Sequence, residues 1–402
     1  MSGSEGAVPP PTARDLVGPN PAGPLRRVSL AVRAALRPLL DEGDAVVLVG
    51  VSGGADSLAL AVTAIDQCTR LGAGVHTLTV DHGLREGSAA EAAGVAELMG
   101  GLGAHADWES VEVGGPGGPE ASARDARRDA LLRRAGSLAR SGGRRVVVLV
   151  GHTMDDQAET VLLRLARGSG AGSLRAMSDL VRLPDGTVWC RPLLGIRRAD
   201  TRGACRQLGL DWVEDPTNAP DGPWRAADGG ALRRAAVRSG ALPALERALG
   251  QDPVPALART ARLLAADDEA LSGLAEDLLD RALHRVGAGP VSVPADRRHP
   301  LPPTLLDVGV LSAAAAAVRG RALHLALVRA GGRAGDISAA QVGSVDALVE
   351  DWHGQGALDL PGVRVRRTTR PAAAAGGAGG HLGGRRAEVP VLELTPLVTG
   401  RG

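Results

Sequence analysis

Residues 46 to 57 read VVLVGVSGGADS and continue as LALAVTAID, so an apolar, β-rich run breaks at a Ser-Gly-Gly turn and restarts with helical spacing. That order constrains the fold strongly. A buried strand ends, two glycines allow backbone conformations closed to other residues, and a helix N-terminus follows with unpaired N–H groups. Anions settle at such a place. Ser52 and Ser57 add hydroxyls, Gly53, Gly54 and Ala55 keep the backbone open, and Asp56 brings a carboxylate able to hold Mg²⁺ beside bound phosphates. Ser-Gly-Gly turns also join strands to helices with no ligand, but all six residues between a buried strand and a helix point to a phosphate loop.

The chain contains no lysine, since all 46 residues counted as Lys+Arg are arginines. A phosphate loop ending in Gly-Lys-Ser/Thr is therefore excluded, together with a Schiff-base lysine and a kinase lysine. Phosphate chemistry must run on backbone amides, hydroxyls, Arg and metal. Net charge is only +1, so no whole-chain basic signal exists. Arginines nevertheless cluster over residues 120–145 and between Arg164 and Arg206, as an RNA backbone would require, although Arg-rich helix faces are as often plain solvated surface. Phe and Tyr are absent, a skew that reads as G+C bias rather than function. The core must be Leu, Val and Ala, and base stacking falls to Trp, His and Arg planes. Cys68, Cys190 and Cys205 form no C-x-x-C pair, which indicates neither a zinc site nor a disulfide framework. With no signal peptide and no membrane span legible, a cytoplasmic protein is expected.

Residues 1–24 are rich in Pro and Gly and read as disordered. Over 25–218 helices alternate with buried strands, among them VHTLTV (75–80) and RVVVLVG (145–151). This is the pattern of an α/β, parallel doubly wound sheet with ligands at the carboxyl ends of its strands. Residues 219–370 read as a smaller, mainly helical domain with a strand-like GALDLPGVRVRR near its end, and 371–402 as a flexible tail.

Two further motifs fall at the ligand edge of that sheet. Asp81-His82-Gly83-Leu84-Arg85 follows VHTLTV; a polar turn would explain it, but beside a phosphate loop His82 and Arg85 can reach a nucleotide. His152-Thr153-Met154-Asp155-Asp156-Gln157-Ala158-Glu159-Thr160 follows the third strand and opens a helix. Thr153 and Asp156 can form a capping box, but capping does not need three acids. The spacing of Asp155 and Asp156 to Glu159 puts carboxylates on one helix face, where they can hold Mg²⁺, take a proton or bind a cationic substrate.

In order, SGGADS, DHGLR, EASARDARR, GHTMDDQAETVLLRLARGSGAGSLRAM, RPLLGIRR and WVEDPTN resemble the tRNA(Ile)-lysidine synthase family, within the PP-loop superfamily of N-type ATP pyrophosphatases. The resemblance spans residues 25 to 367. It implies ATP and Mg²⁺ as cofactors and a CAU-anticodon tRNA(Ile) with free lysine as partners. ATP would activate C2 of the wobble cytidine with release of pyrophosphate, and the lysine ε-amino group would displace AMP, changing decoding from AUG to AUA. It implies Asp56, Asp156 and Glu159 as catalytic residues, Ser52 to Ser57 with His82 and Arg85 around ATP, and Asp56 on the metal. Lysine would meet Asp156, Glu159 and Arg234, and the tRNA Arg124, Arg127, Arg167 and Arg238; a homodimer is compatible with it. Two positions depart from the family pattern: Arg128 stands where a tyrosine is usual, and Ala236 separates Arg234 from Arg238 where Arg is usual. Alternatives are a PP-loop tRNA thiolase, against which the scattered cysteines argue, and a non-catalytic tRNA-binding homologue, against which the intact SGGADS and DDQAET argue.

Overall fold

The computed structural model describes residues 10–83, 85, 87–114, 119–168, 170–214, 222, 225, 230–286, 302–333, 335–371 and 388–397. Two compact units divide the chain, Met1–Ala265 and Ala266–Gly402. The first runs through α1 (Ala13–Val17), α2 (Gly23–Asp41), β1 (Ala45–Val51), α3 (Ala55–Leu71), β2 (Val75–Asp81), α4 (Ser88–Gly101), β3 (His105–Ser110), α5 (Pro119–Gly142), β4 (Arg145–Leu149) and α6 (Met154–Leu165). It continues with α7 (Ala171–Leu174), β5 (Leu180–Arg182), β6 (Val188–Cys190), α8 (Arg198–Gln207), α9 (Arg233–Ala236), a π turn over Val237–Ala241, α10 (Leu242–Leu249) and the start of α11 (Val254–Arg285).

Its strands form one sheet in the order β3-β2-β1-β4-β6-β5, parallel throughout except for β5 on β6. β1 (AVVLVGV) and most of β4 (RVVVL) have no polar side to turn to water, so both are covered on both faces. On one face Val47, Val49, Val147 and Leu149 pack with apolar residues of α2, α3 and α8. On the other, Leu48, Val146 and Val148 meet Ala130, Leu131 and Ala135 of α5, each buried large side chain contributing about 1.5–3 kcal/mol. From β1 the chain builds outward to β2 and β3 on one side, and later to β4 and β6 on the other. The switch point therefore lies between β1 and β4, where open α/β sheets take their ligands.

The segment expected to be disordered, 1–24, differs from the structure in its described part. α1 is fixed by a capping box between Thr12 and Asp15 and seats Ala13 and Val17 in the core; Ala13 N–H donates to the Leu102 carbonyl at 3.1 Å. Pro and Gly around it mark turns at its ends, not absence of structure. Residues 1–9 lie outside the described residues.

The second unit carries β7 (Thr304–Asp307), α12 (Val308–Ser312), α13 (Ala316–Arg329), α14 (Ala339–Glu350), β8 (Leu358–Leu360), β9 (Val363–Pro371) and β10 (Glu388–Pro396). A four-stranded antiparallel sheet, β7-β10-β9-β8, joins helices around Leu278, Leu279, Leu283, Leu323, Leu327 and Leu348. The segment 219–370 is mainly helical, as expected, and the small antiparallel sheet takes in its strand-like end. β9 follows the period of two, with Val363 and Val365 inside and Arg364 and Arg366 turned outward. β10 falls within the expected flexible tail 371–402, yet Leu392 and Leu394 are buried against β9. The Gly-rich composition ahead of it hid a strand of alternating character. Residues 372–387 and 398–402 lie outside the described residues, as does most of 219–230. No helix among the described residues is long and apolar enough to cross a membrane.

Candidate active site

The loop 52–57 leaves β1 and enters α3. Gly53 takes φ +77°, the left-handed region that favours glycine, and Gly54 caps α3 without any side-chain acceptor on the first turn. Ser57 Oγ accepts from the Ser52 N–H at 3.0 Å and donates to the Gly54 carbonyl at 2.9 Å. Leading helix N–H groups are thereby left for an anion, aligned with the positive end of the helix dipole.

Just beyond β4, Gly151 passes close behind this loop. A Cβ there would stand 3.0 Å from the Asp56 carbonyl oxygen and 3.2 Å from Ser57 Cα, both backbone atoms with little room to yield. Gly151→Ala is expected to displace the loop, cost about 1–3 kcal/mol and slow ATP-dependent pyrophosphate release about tenfold or more through misplacement of the reacting groups. Urea unfolding and a pyrophosphate assay check it.

Across the switch point three carboxylates meet one arginine. Arg198, the first residue of α8, donates from Nη2 to Asp156 Oδ1 at 2.8 Å, from Nη1 to Glu159 Oε1 at 3.2 Å and from Nε to Asp56 Oδ2 at 3.4 Å. Glu159 is fully buried and also accepts from Arg238 Nε at 2.7 Å and Nη2 at 3.1 Å. Asp156 accepts from the N–H and the hydroxyl of Thr153, both at 2.8 Å, which closes the capping box of α6. Thr201 Oγ1 donates to Asp56. Asp155 points elsewhere, to the Arg198 N–H at 2.8 Å and the Arg197 guanidinium at 3.1 and 3.2 Å.

Two of these acids consequently differ in charge behaviour. Burial works against ionisation of Asp156, but Arg198, His152 and the Thr153 donors outweigh it and hold the carboxyl at about 2. Asp56 is pushed up to about 6 by burial and by the neighbouring Asp156, with Thr201 and Arg198 only partly compensating. Asp156 stays charged at any working pH, whereas Asp56 titrates close to neutrality.

Among the described residues no group of three or more His, Cys, Asp and Glu is arranged to hold a metal ion. The donor set fits a different case, Mg²⁺ arriving with phosphates and keeping most of its waters, for which one hard carboxylate such as Asp56 suffices.

Of the residues expected from the sequence, Asp56, Asp156, Glu159 and Arg238 come together, and Arg234 stands at their rim, donating to Thr160 Oγ1 at 3.2 Å. Arg238, expected on tRNA, is bound to Glu159. His82 Nε2 lies 3.0 Å from Arg127 Nη2. Arg85 pairs with Glu91 at 2.8 Å and Arg167 lies exposed after α6; neither is brought to the acids. Burial holds His152 neutral, at about 4, and Arg124 is one of the cations close enough to it to add to that effect. Arg198 and Thr201 are new. Arg198 stands in RPLLGIRR, and the available signal was that three acids at one sheet edge require a cation.

A family model described as the PP-loop domain matches residues 28–235, and one described as the TilS substrate binding domain matches 306–369. Curated relatives named tRNA(Ile)-lysidine synthase match over most of both chains. That of Salinispora tropica is 46% identical over 350 residues, covering 86% of this chain and 95% of the relative. That of Thermobifida fusca is 43% identical, covering 87% and 96%, and that of Streptomyces coelicolor 41% identical, covering 80% and 82%.

Proposed function

The chain belongs to the tRNA(Ile)-lysidine synthase family, with an ATP-using PP-loop domain, and from that premise we propose that it joins free lysine to C2 of the wobble cytidine in CAU-anticodon tRNA(Ile). The observation that carries the reading is the cluster of Asp56, Asp156 and Glu159 around Arg198, which ties the phosphate loop to α6 across the β1–β4 switch point.

In the first step the cytidine O2 attacks the α-phosphorus of ATP and the bond to pyrophosphate breaks. The loop 52–57 receives the pyrophosphate through its backbone N–H groups. Mg²⁺ held beside Asp56 would neutralise charge developing on the phosphates. In the second step the neutral lysine ε-amine attacks C2, the C–O bond breaks, AMP leaves with the former O2, and a proton from the nitrogen passes to solvent. A carboxylate held at about 2 is a weak base, so Asp156 suits gripping and orienting an ammonium group rather than taking its proton. Glu159 lies beside it for the same cation, with Arg198 and Arg238 giving way as lysine enters. We assign Arg234 at the rim to the lysine carboxylate, and Arg124, Arg127 and Arg167 to RNA phosphates. His82 and Arg85 line the nucleotide side. ATP, lysine and tRNA meet in the cytoplasm, which is the compartment this reading assigns.

Asp56 supplies a pH test. Its folded pKa of about 6 lies above the unfolded carboxylate value of about 4. The ionised group therefore costs stability as pH rises through that window, and Mg·ATP, binding the ionised form, offsets the cost. Mg·ATP affinity is expected to weaken as pH falls through about 6, with proton release on binding; Asp56→Asn should weaken binding and flatten the profile. Calorimetry in buffers of different ionisation heat measures both.

The reaction itself is tested by following ATP cleavage. AMP and pyrophosphate formation that requires both tRNA(Ile) and lysine for turnover supports the proposal. Turnover indifferent to lysine would indicate another nucleophile, and no cleavage with a properly folded chain would indicate a non-catalytic RNA-binding homologue.

A further inference from the structure

Next to the acid cluster, three of the buried side-chain nitrogens that lack a hydrogen-bond partner among the described residues fall close together: His152 Nδ1, Trp189 Nε1 and Arg191 Nε. Topology gathers them. β4 and β6 are parallel neighbours with Leu149 opposite Cys190, and the Val150 N–H still donates to the Cys190 carbonyl at 3.1 Å, so His152 and Arg191 leave the sheet at adjacent points of its carboxyl edge. Trp189 belongs to the cluster on the α5 side, and strand alternation sends Arg191, two residues on, toward that same side. α5 supplies the last wall: the guanidinium carbon of Arg128 lies 5.9 Å from the centre of the Trp189 ring.

Positive charge is concentrated here. Burial and the nearby Arg128 both act against the positive charge of Arg191, and Arg191, Arg124 and Arg234 all press on His152. Of the acids that face them, Asp156 is bonded to Arg198 and Asp179 is shared with Arg262 and itself disfavoured as an anion by burial. Arg191 Nη1 donates to the Ser178 carbonyl at 2.8 Å, and its charge is met only in part by the shared Asp179. A buried polar atom without a partner in a native fold requires an explanation, and like-charged guanidiniums gathered at a sheet edge are costly without an anion.

We propose that Arg191 and Arg128, with His152 and Trp189 beside them, form a phosphate subsite that grips the RNA backbone at the nucleotide entering the crevice. Phosphate oxygens could come from ATP or from RNA. RNA is favoured because ATP's pyrophosphate has its own loop at the end of β1, whereas this subsite lies at the ends of β4 and β6 under α5. Arg128 also lies exposed over the buried Trp189 ring, and its planar guanidinium suits a base beside its phosphate. This inference rests on RNA being the substrate.

The test measures binding of a CAU anticodon stem-loop RNA to the full chain over a series of salt concentrations, alongside ATP binding. Arg191→Gln is expected to weaken RNA binding about tenfold and to lower the salt slope by about one phosphate contact, with ATP affinity unchanged; Arg191→Lys should keep the slope. Arg128→Gln, a change on the exposed side of α5, should shift RNA affinity in the same direction and decides the matter if Arg191→Gln does not fold. Unchanged RNA affinity and slope in the folded variants would overturn the inference, as would loss of ATP affinity with RNA binding intact. Failure of the unaltered chain to bind the RNA would overturn the functional reading itself.

Discussion

Arg198→Met is expected to destabilise the first unit by about 3 kcal/mol and to reverse the pH dependence of its stability. Removing one partner from a buried ion pair costs about 3–5 kcal/mol because the other charge stays behind without compensation. Glu159 keeps Arg238, which places the loss at the lower end. Methionine retains most of the side-chain volume, so packing changes little. Asp156 sets the pH dependence. In the parent its pKa, about 2, lies below the unfolded value of about 4, so its contribution is present above about 4 and is lost as pH falls toward about 2. Without Arg198, burial pushes the carboxyl up, and stability is then lost as pH rises through the raised value. Urea midpoints at mildly acid and neutral pH separate the cases: a gap that widens toward neutrality is expected, and an equal offset at both would remove Arg198 from this role. Lysine ligation should fall about a hundredfold or more as the acids lose their orientation.

Asp156→Asn should abolish lysine transfer, by about a thousandfold, while sparing the first step. Asparagine keeps the shape of aspartate and one carbonyl acceptor, so Thr153 retains a partner and the start of α6 survives. What disappears is the charge that grips an ammonium group. Pyrophosphate release in the first turnover should persist, and an activated tRNA should accumulate with no lysine attached. Alanine is a poorer probe, since losing the cap alone costs about 1 kcal/mol. Equal loss of both steps in Asp156→Asn would place this carboxylate at the ATP, not at the lysine.

Local chemistry was legible in the sequence and long-range pairing was not. The loop 52–57 and the Thr153–Asp156 cap each depend on residues within one turn of one another, and both are present as read. Arg198 reaches Asp56 across 142 residues of chain, and no spacing rule announces such a contact. β3 was invisible for another reason. As the sheet's edge it is largely exposed, and HADWES has none of the apolar alternation that marks half-buried strands. β6, only three residues long, sits too close to polar turns for its pattern to develop. α1 and β10 were masked by Pro- and Gly-rich neighbours, although the Thr12-x-x-Asp15 box and the alternation in EVPVLELTP were there to be read.

Transfer of lysine to one tRNA is read out by incorporation of labelled lysine. With ATP and Mg²⁺, label is expected on a CAU-anticodon tRNA(Ile) transcript and none on a methionine tRNA bearing the same anticodon. Absence of label on the isoleucine transcript, with ATP still cleaved to AMP and pyrophosphate, would contradict it.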